Sequence, residues 1–340
     1  MRKHSVALIQ HYYGKLPNYF PLWLKSAGCN KNFDFMIFTD IDFSVYKVPD
    51  NVHVIHMTFD EMRARIAEHL DFEFECATPY KACDYILMYG LIFRDYLEDY
   101  EFWGHVDPDV IWGDMNRFIT PDILDRYDRI YSHGHLQFFR NTEKVRTFAL
   151  HKLPGFEFSY RDVFRTKQHI AFEEIGISGR LFSKFGDSGG GQYRSRDFAD
   201  ISPRFKQFSR GREGVIPAFR WKEGRLLGIS LNGELGNDKE YLYAHFQKRA
   251  MNFIPGLEDE NSFLIVPNEF VKDHELTEEE IANFIKPDAE YERRYLEKYS
   301  RKYRYGDGII GSIRTFLSMD RIEKKIWLYR YLAHMLGKEI

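Results

Sequence analysis

The sequence predicts an α/β protein: a mixed, mostly parallel sheet flanked by helices, followed by a C-terminal helical extension. Short apolar runs alternate with helix-patterned segments through the first hundred residues, the rhythm of strands joined by crossovers in a parallel sheet. Apolar residues make up 44% of the 340 and charged residues 29%, which suits a full core under a polar surface. From about residue 270 the composition turns to charged helix formers.

Taken in order, residues 5–10 (SVALIQ) read as a buried parallel strand. Leu16, Phe20, Trp23, Leu24 and Ala27 then recur at helical spacing, and Gly28 supplies a stop. Residues 33–40 (FDFMIFTD) and 52–57 (VHVIHM) are the next strands. Thr58 caps a following helix through Glu61, at capping-box spacing. Residues 83–100 read as one long helix, and 101–106 as a strand that runs straight into Asp107-Pro108-Asp109. Residues 129–133 and 136–140 form two short strands broken at Gly134-His135. A glycine-rich loop spans 185–191, and 218–231 reads as a hairpin turning at Glu223-Gly224. Two amphipathic stripes close the chain, one on Ile309, Ile313 and Phe316, the other on Ile322, Ile326, Tyr329 and Leu336.

Several function classes are excluded early. A net charge of −3 argues against a nucleic-acid binder working through a basic field. Cys29, Cys76 and Cys83 lack CxxC spacing and fit a reducing cytoplasm. No apolar leader and no run of roughly 18 apolar residues is present. The expected location is cytoplasmic. For the C-terminal stripes two readings stay open: packing on the domain or on a second copy in a homodimer, or peripheral contact with the inner face of the cell membrane.

Ligands on open α/β sheets bind beyond the carboxyl ends of the strands. Asp40 and Asp107 both sit at such ends, so they share one crevice in this reading. Two carboxylates one residue apart, after a buried strand, point the same way and lie roughly 6–7 Å apart. Oxygen ligands of that kind suit Mg²⁺ or Mn²⁺, which keep positions for water and substrate phosphates. Burying both without a cation costs several kcal/mol. Spacing alone also allows a surface turn, since Asp and Pro favour turns.

Asp107-Pro108-Asp109 resembles the DxD motif of GT-A glycosyltransferases, and further segments resemble an uncharacterised bacterial family of capsule-type, surface-polysaccharide glycosyltransferases. The matching pieces are Tyr12-Tyr13-Gly14-Lys15-Leu16-Pro17, Phe38-Thr39-Asp40, Pro79-Tyr80-Lys81-Ala82-Cys83-Asp84, Phe102-Trp103-Gly104-His105-Val106 before the triplet, Gly134-His135 with Arg140-Asn141, and His245-Phe246-Gln247-Lys248-Arg249. The resemblance implies a GT-A (Rossmann-like) catalytic domain over 1–255, with the helical extension over 270–340. It also implies a UDP-sugar donor and a saccharide or lipid-linked acceptor. Two departures stand out: Pro108 removes an N–H between the acids, and Tyr85-Ile86-Leu87-Met88 replaces an expected lysine and proline.

On this resemblance the metal, Mn²⁺ or Mg²⁺, is assigned to Asp107, Asp109 and His245. The donor is assigned to Tyr12, Tyr13, Asp40, Lys81, Asp84, Asp107 and Lys248. Tyr12 or Tyr13 would stack on uracil, Lys81 and Asp84 would approach the nucleotide, and Lys248 would share a helical face with His245 and reach the diphosphate. Glu173, Glu174 and Asp187 are the candidates for the base an inverting reaction needs, Asp187 on a loop able to close. Two other functions use similar residues: a metal-dependent nucleotidyl- or phosphotransferase, and a non-catalytic nucleotide- or sugar-binding module of a polysaccharide assembly complex. The first usually carries a phosphate-cradling glycine loop after the first strand, and none follows Ile9.

Overall fold

The computed structural model describes residues 3–155, 159–174, 176–209, 214–231 and 239–303, with a few positions between 316 and 328. Its first nine strands are β1 (Val6–His11), β2 (Asp34–Thr39), β3 (Val52–His56), β4 (Phe102–Val106), β5 (Val110–Trp112), β6 (Arg129–His133), β7 (Leu136–Arg140), β8 (Gln192–Tyr193) and β9 (Ala199–Asp200). Seven of them form one sheet in the order β3-β2-β1-β4-β7-β6-β8. β1 pairs in parallel with both β2 and β4, β2 with β3, and β6 with β8. Only β7 runs against its neighbours. The expected mixed, mostly parallel α/β sheet is therefore present.

Strand alternation divides the core between the two faces of this sheet. Ala7, Ile9, Met36 and Phe38 pack on one side. Val6, Leu8, Phe35 and Ile37 pack on the other, against Trp23 and Leu24 of α1 (Phe20–Gly28). The predicted capping box is formed at Thr58 and Glu61, where α2 (Phe59–Ala67) begins. Gly104 in β4 is required by close approach, since a Cβ there would fall 2.3 Å from the Gln137 carbonyl oxygen.

The long helix expected over 83–100 is broken. Lys81–Met88 is a 3-10 helix, Tyr89–Ile92 one α turn and Arg94–Tyr96 a second 3-10 turn. All of Lys81–Met88 except Cys83 is buried, so neighbours on every side, rather than one apolar stripe, set the backbone path. Gly90 lies hard against the Trp103 indole.

A second, six-stranded sheet includes Phe219–Lys222, Arg225–Gly228 and Lys239–Tyr241 together with Ser262–Val266 and Glu269–Lys272. The predicted hairpin turns at Glu223 and Gly224, both left-handed (φ 48° and 85°), as a tight turn between twisted strands demands. Helices Glu278–Ile285 and Ala289–Tyr303 follow, the first opened by a Thr277/Glu280 capping box. Most of the two C-terminal stripes lie outside the described residues. Among those described, no helix is long and apolar enough to cross a membrane.

Candidate active site

A small three-stranded sheet assembles the centre. β5 begins one residue after Asp109 and pairs antiparallel with Tyr243–His245, so that His245 sits opposite Val110. β9 pairs in parallel on the other edge, with His245 opposite Asp200. Backbone register thus delivers His245 between the acidic triplet and Asp200. Its Nε2 lies 3.5 Å from Asp109 Oδ1 and 3.9 Å from Asp107 Oδ2.

Each of the three residues is also tied by its other polar atom. His245 Nδ1 lies 2.8 Å from Asp200 Oδ1. The Lys248 N–H donates to Asp109 Oδ2 at 2.6 Å, and His105 Nε2 lies 3.0 Å from Asp107 Oδ1. The far atoms are engaged, and the near atoms (Asp107 Oδ2, Asp109 Oδ1, His245 Nε2) face one point. The trio offers ligand atoms all within 4.8 Å of one another. Adjacent ligands of an octahedral ion with bonds of about 2.1 Å stand about 3 Å apart, so a small closure would fit Mg²⁺ or the similar Mn²⁺.

The electrostatics agree with a cation at this point. Burial alone would push the His245 imidazole down, but Asp109, Asp200 and Asp107 outweigh it and hold it at about 10. Burial would likewise raise the Asp109 carboxyl, and His245 and Lys248 hold it below its usual range. His135 stacks on His245 with ring centroids 4.3 Å apart and has Tyr243 Oη 2.6 Å from its Nδ1. Burial and then His245 keep it well below the ordinary histidine range, hence neutral.

Lys248 does not share a helical face with His245. The chain leaves the strand and turns through two consecutive left-handed residues, Gln247 (φ 50°) and Lys248 (φ 60°). Such conformations cost non-glycine residues on the order of 1–3 kcal/mol each and need surrounding bonds to fix them. Gln247 Nε2 donates to Asp200 Oδ1 at 2.7 Å. The buried Arg249 donates to Asn268 Oδ1, Ser202 O and Lys206 O. The turn aims the Lys248 N–H at Asp109 and sets its ammonium 4.3 Å from the centroid of Tyr80, a ring 52% exposed.

Lys81 and Asp84, expected at the nucleotide, are 1% and 0% exposed and face the protein interior. Lys81 Nζ donates to Asp84 Oδ2 (2.7 Å), Val163 O (2.8 Å) and Gln168 O (2.9 Å), which uses all three of its protons. Asp84 in turn accepts the N–H groups of Ile170 and Phe172. The pair staples the segment that leads directly into Glu173 and Glu174. This corrects their expected donor role, since no proton of Lys81 is left for a phosphate.

Of the three expected bases, the staple leaves two beside the centre. Glu174 is exposed, accepts the Gly134 N–H, and shares the fields of Asp107, His245 and Asp200. A Cβ at Gly134 would fall 2.1 Å from Glu174 Oε1, so a larger residue there would displace the Glu174 carboxylate. Glu173 is buried with no hydrogen-bond partner for its Oε2. Burial and then Glu174 push its carboxyl well above the usual range. Asp187 is elsewhere: its Oδ1 accepts the N–H groups of Gly189 and Gly191, and Asp128 Oδ2 holds Ser188 and Gly190 next to the β8 edge. One oxygen of its carboxylate is committed to its own turn, and among the described residues no contact links it to Asp107, Asp109 or His245, so the geometry does not bring this expected base to the centre.

At the β1 and β2 ends, Thr39 Oγ1 donates to Tyr12 O at 2.6 Å and fixes the two strand ends together. Asp40 is exposed beyond them. Tyr12 donates its hydroxyl to Lys15 O at 2.9 Å; burial raises its phenol, and Asp109 adds to the rise, which places it toward the centre. Tyr13 packs edge-on against Phe59 at 5.3 Å with its hydroxyl buried, so its ring serves the core. Sequence reasoning missed Asp200, which no local pattern marks, and the role of His105, two residues before Asp107.

Residues 8–274 match a family model described as "Family of unknown function (DUF6625)". No curated protein matches the chain. Among solved structures, the apo-form glycosyltransferase GlyE of Streptococcus pneumoniae TIGR4 matches at 10% identity and a TM-score of 0.31, over 57% of this chain and 46% of that one. The chain thus spans under half the length of that protein. The galactosyltransferase LgtC, solved in complex with donor and acceptor sugar analogs, matches at 11% identity and a TM-score of 0.30, over 72% of this chain and 88% of that one. Overlaps this shallow transfer no residue roles.

Proposed function

The chain belongs to the Family of unknown function (DUF6625), which hands it no activity, and we propose from its own geometry that it is a metal-dependent GT-A glycosyltransferase. It would move a hexose from a UDP-sugar to a saccharide or lipid-linked acceptor in surface-polysaccharide synthesis. The observation that carries this reading is the convergence of Asp107 Oδ2, Asp109 Oδ1 and His245 Nε2, each backed by a second hydrogen bond.

A divalent ion held by these three, Mn²⁺ or Mg²⁺, would supply Lewis-acid neutralisation of a diphosphate leaving group. The other parts are the chain's own. Lys248 offers an ammonium for the diphosphate, on a backbone already fixed by Asp109 and Arg249. Asp200 orients His245 so that Nε2 faces the ligand point. Glu174, exposed beside the centre, would be the carboxylate available to the acceptor, and Glu173 is buried behind it.

Calorimetric titration with UDP, with and without Mn²⁺, tests the reading on wild type and Asp109→Asn. Metal-dependent binding lost in the variant is the expected result. Binding that ignores both metal and substitution would remove the proposal. Hydrolysis of a UDP-sugar panel then separates an enzyme from a binding module, which would bind without turnover.

A further inference from the structure

Groups of both signs surround the centre. Lys248 carries its ammonium over Tyr80, within the fields of Asp109 and Asp107. Asp200 is bonded to His245, and Glu174 lies against Gly134, next to the His135 ring that stacks on His245. A diphosphate bound at the centre is drawn to the Lys248 flank, which leaves its sugar beside Glu174 and Asp200.

Resting on the donor-site reading above, we propose that Glu174 is a specificity-determining residue and that the transferred sugar carries no negative charge. The donor is then a neutral or amino-sugar nucleotide and not a uronate.

Two observations support this. Glu174 is held in place from two sides: the Gly134 N–H binds its carboxyl, and the Lys81–Asp84 staple fixes the segment just before it. It therefore cannot simply swing away from an incoming anion. Asp200 receives both of its side-chain hydrogen bonds on Oδ1, from His245 and Gln247, and its side chain is 43% exposed, so a second carboxylate fronts the same space. Specificity of this kind arises from repulsion of the wrong substrate as much as from attraction of the right one.

The test uses the full chain with saturating Mn²⁺ and probes matched except at C6: UDP-glucose with UDP-glucuronate, and UDP-galactose with UDP-galacturonate, against UDP alone. Wild type should bind the uronate of each pair at least tenfold more weakly than the hexose. Glu174→Gln keeps size and an acceptor for the Gly134 N–H; with each affinity taken relative to UDP alone on the same protein, it should narrow that gap several-fold. Uronates bound as tightly as hexoses by wild type would overturn the proposal, as would a gap that Glu174→Gln does not alter. Absence of Mn²⁺-dependent UDP binding in wild type would instead overturn the glycosyltransferase reading on which it rests.

Discussion

His245 Nδ1 lies 2.8 Å from Asp200 Oδ1, while its Nε2 faces Asp109 Oδ1 at 3.5 Å. Asp200 thereby selects the tautomer and ring orientation that a metal-binding imidazole needs. Asp200→Asn retains the shape but offers a weaker acceptor. Mn²⁺ affinity, read by calorimetry, should fall about 10–100-fold with the fold intact. An unchanged affinity would show that the pair has no part in holding a metal.

Glu173 predicts a pH dependence of stability. Its folded pKa is raised well above the unfolded value, by burial and by Glu174, so the folded state binds the extra proton. The sign follows: its contribution is fully present below the unfolded value, about pH 4.5, and is lost as pH rises through the folded value. Glu173→Gln mimics the protonated form. Relative to wild type, its melting temperature should rise with pH above about 4.5, and the two proteins should show their smallest difference in acid. A difference that is flat from pH 4 to 9 would show that Glu173 ionises freely.

Much of the sheet was legible because β1, β2 and β4 are buried on both faces and read as apolar runs bounded by turns. The 3-10 path of Lys81–Met88 was not legible, because its buried residues surround the axis and its geometry comes from neighbours distant in sequence. The same division holds at the site. Asp107 and Asp109 announce themselves by spacing at a strand end. Asp200 joins them only through the register of β9 on Tyr243–His245, a pairing that no local pattern encodes. Lys81 and Asp84 carried the right chemistry for a ligand, but burial turned that chemistry inward.

That burial makes Lys81–Asp84 a stability prediction. Breaking a buried pair leaves an uncompensated charge and typically costs about 3–5 kcal/mol. Asp84→Ala also removes the acceptor for the Ile170 and Phe172 N–H groups. Chemical denaturation should show a loss of this size. A loss under about 1 kcal/mol would mean that the ammonium and the segment over 163–172 find other partners, and the staple would be incidental.

Lys248 separates stability from function. Its backbone is left-handed at φ 60°, a conformation glycine adopts without a Cβ penalty, and its N–H already serves Asp109. Lys248→Gly retains that hydrogen bond, relieves the strain and deletes the ammonium. Part of the relief is offset by the greater freedom of glycine in the unfolded chain, so the expected gain is up to ~1 kcal/mol. UDP affinity in Mn²⁺ should fall at the same time, because a charge-assisted contact to the diphosphate is lost. A variant that is more stable and binds UDP as before would remove Lys248 from the donor site. One that is less stable would show that the ammonium over Tyr80, at 4.3 Å, contributes more to the fold than the left-handed turn costs it.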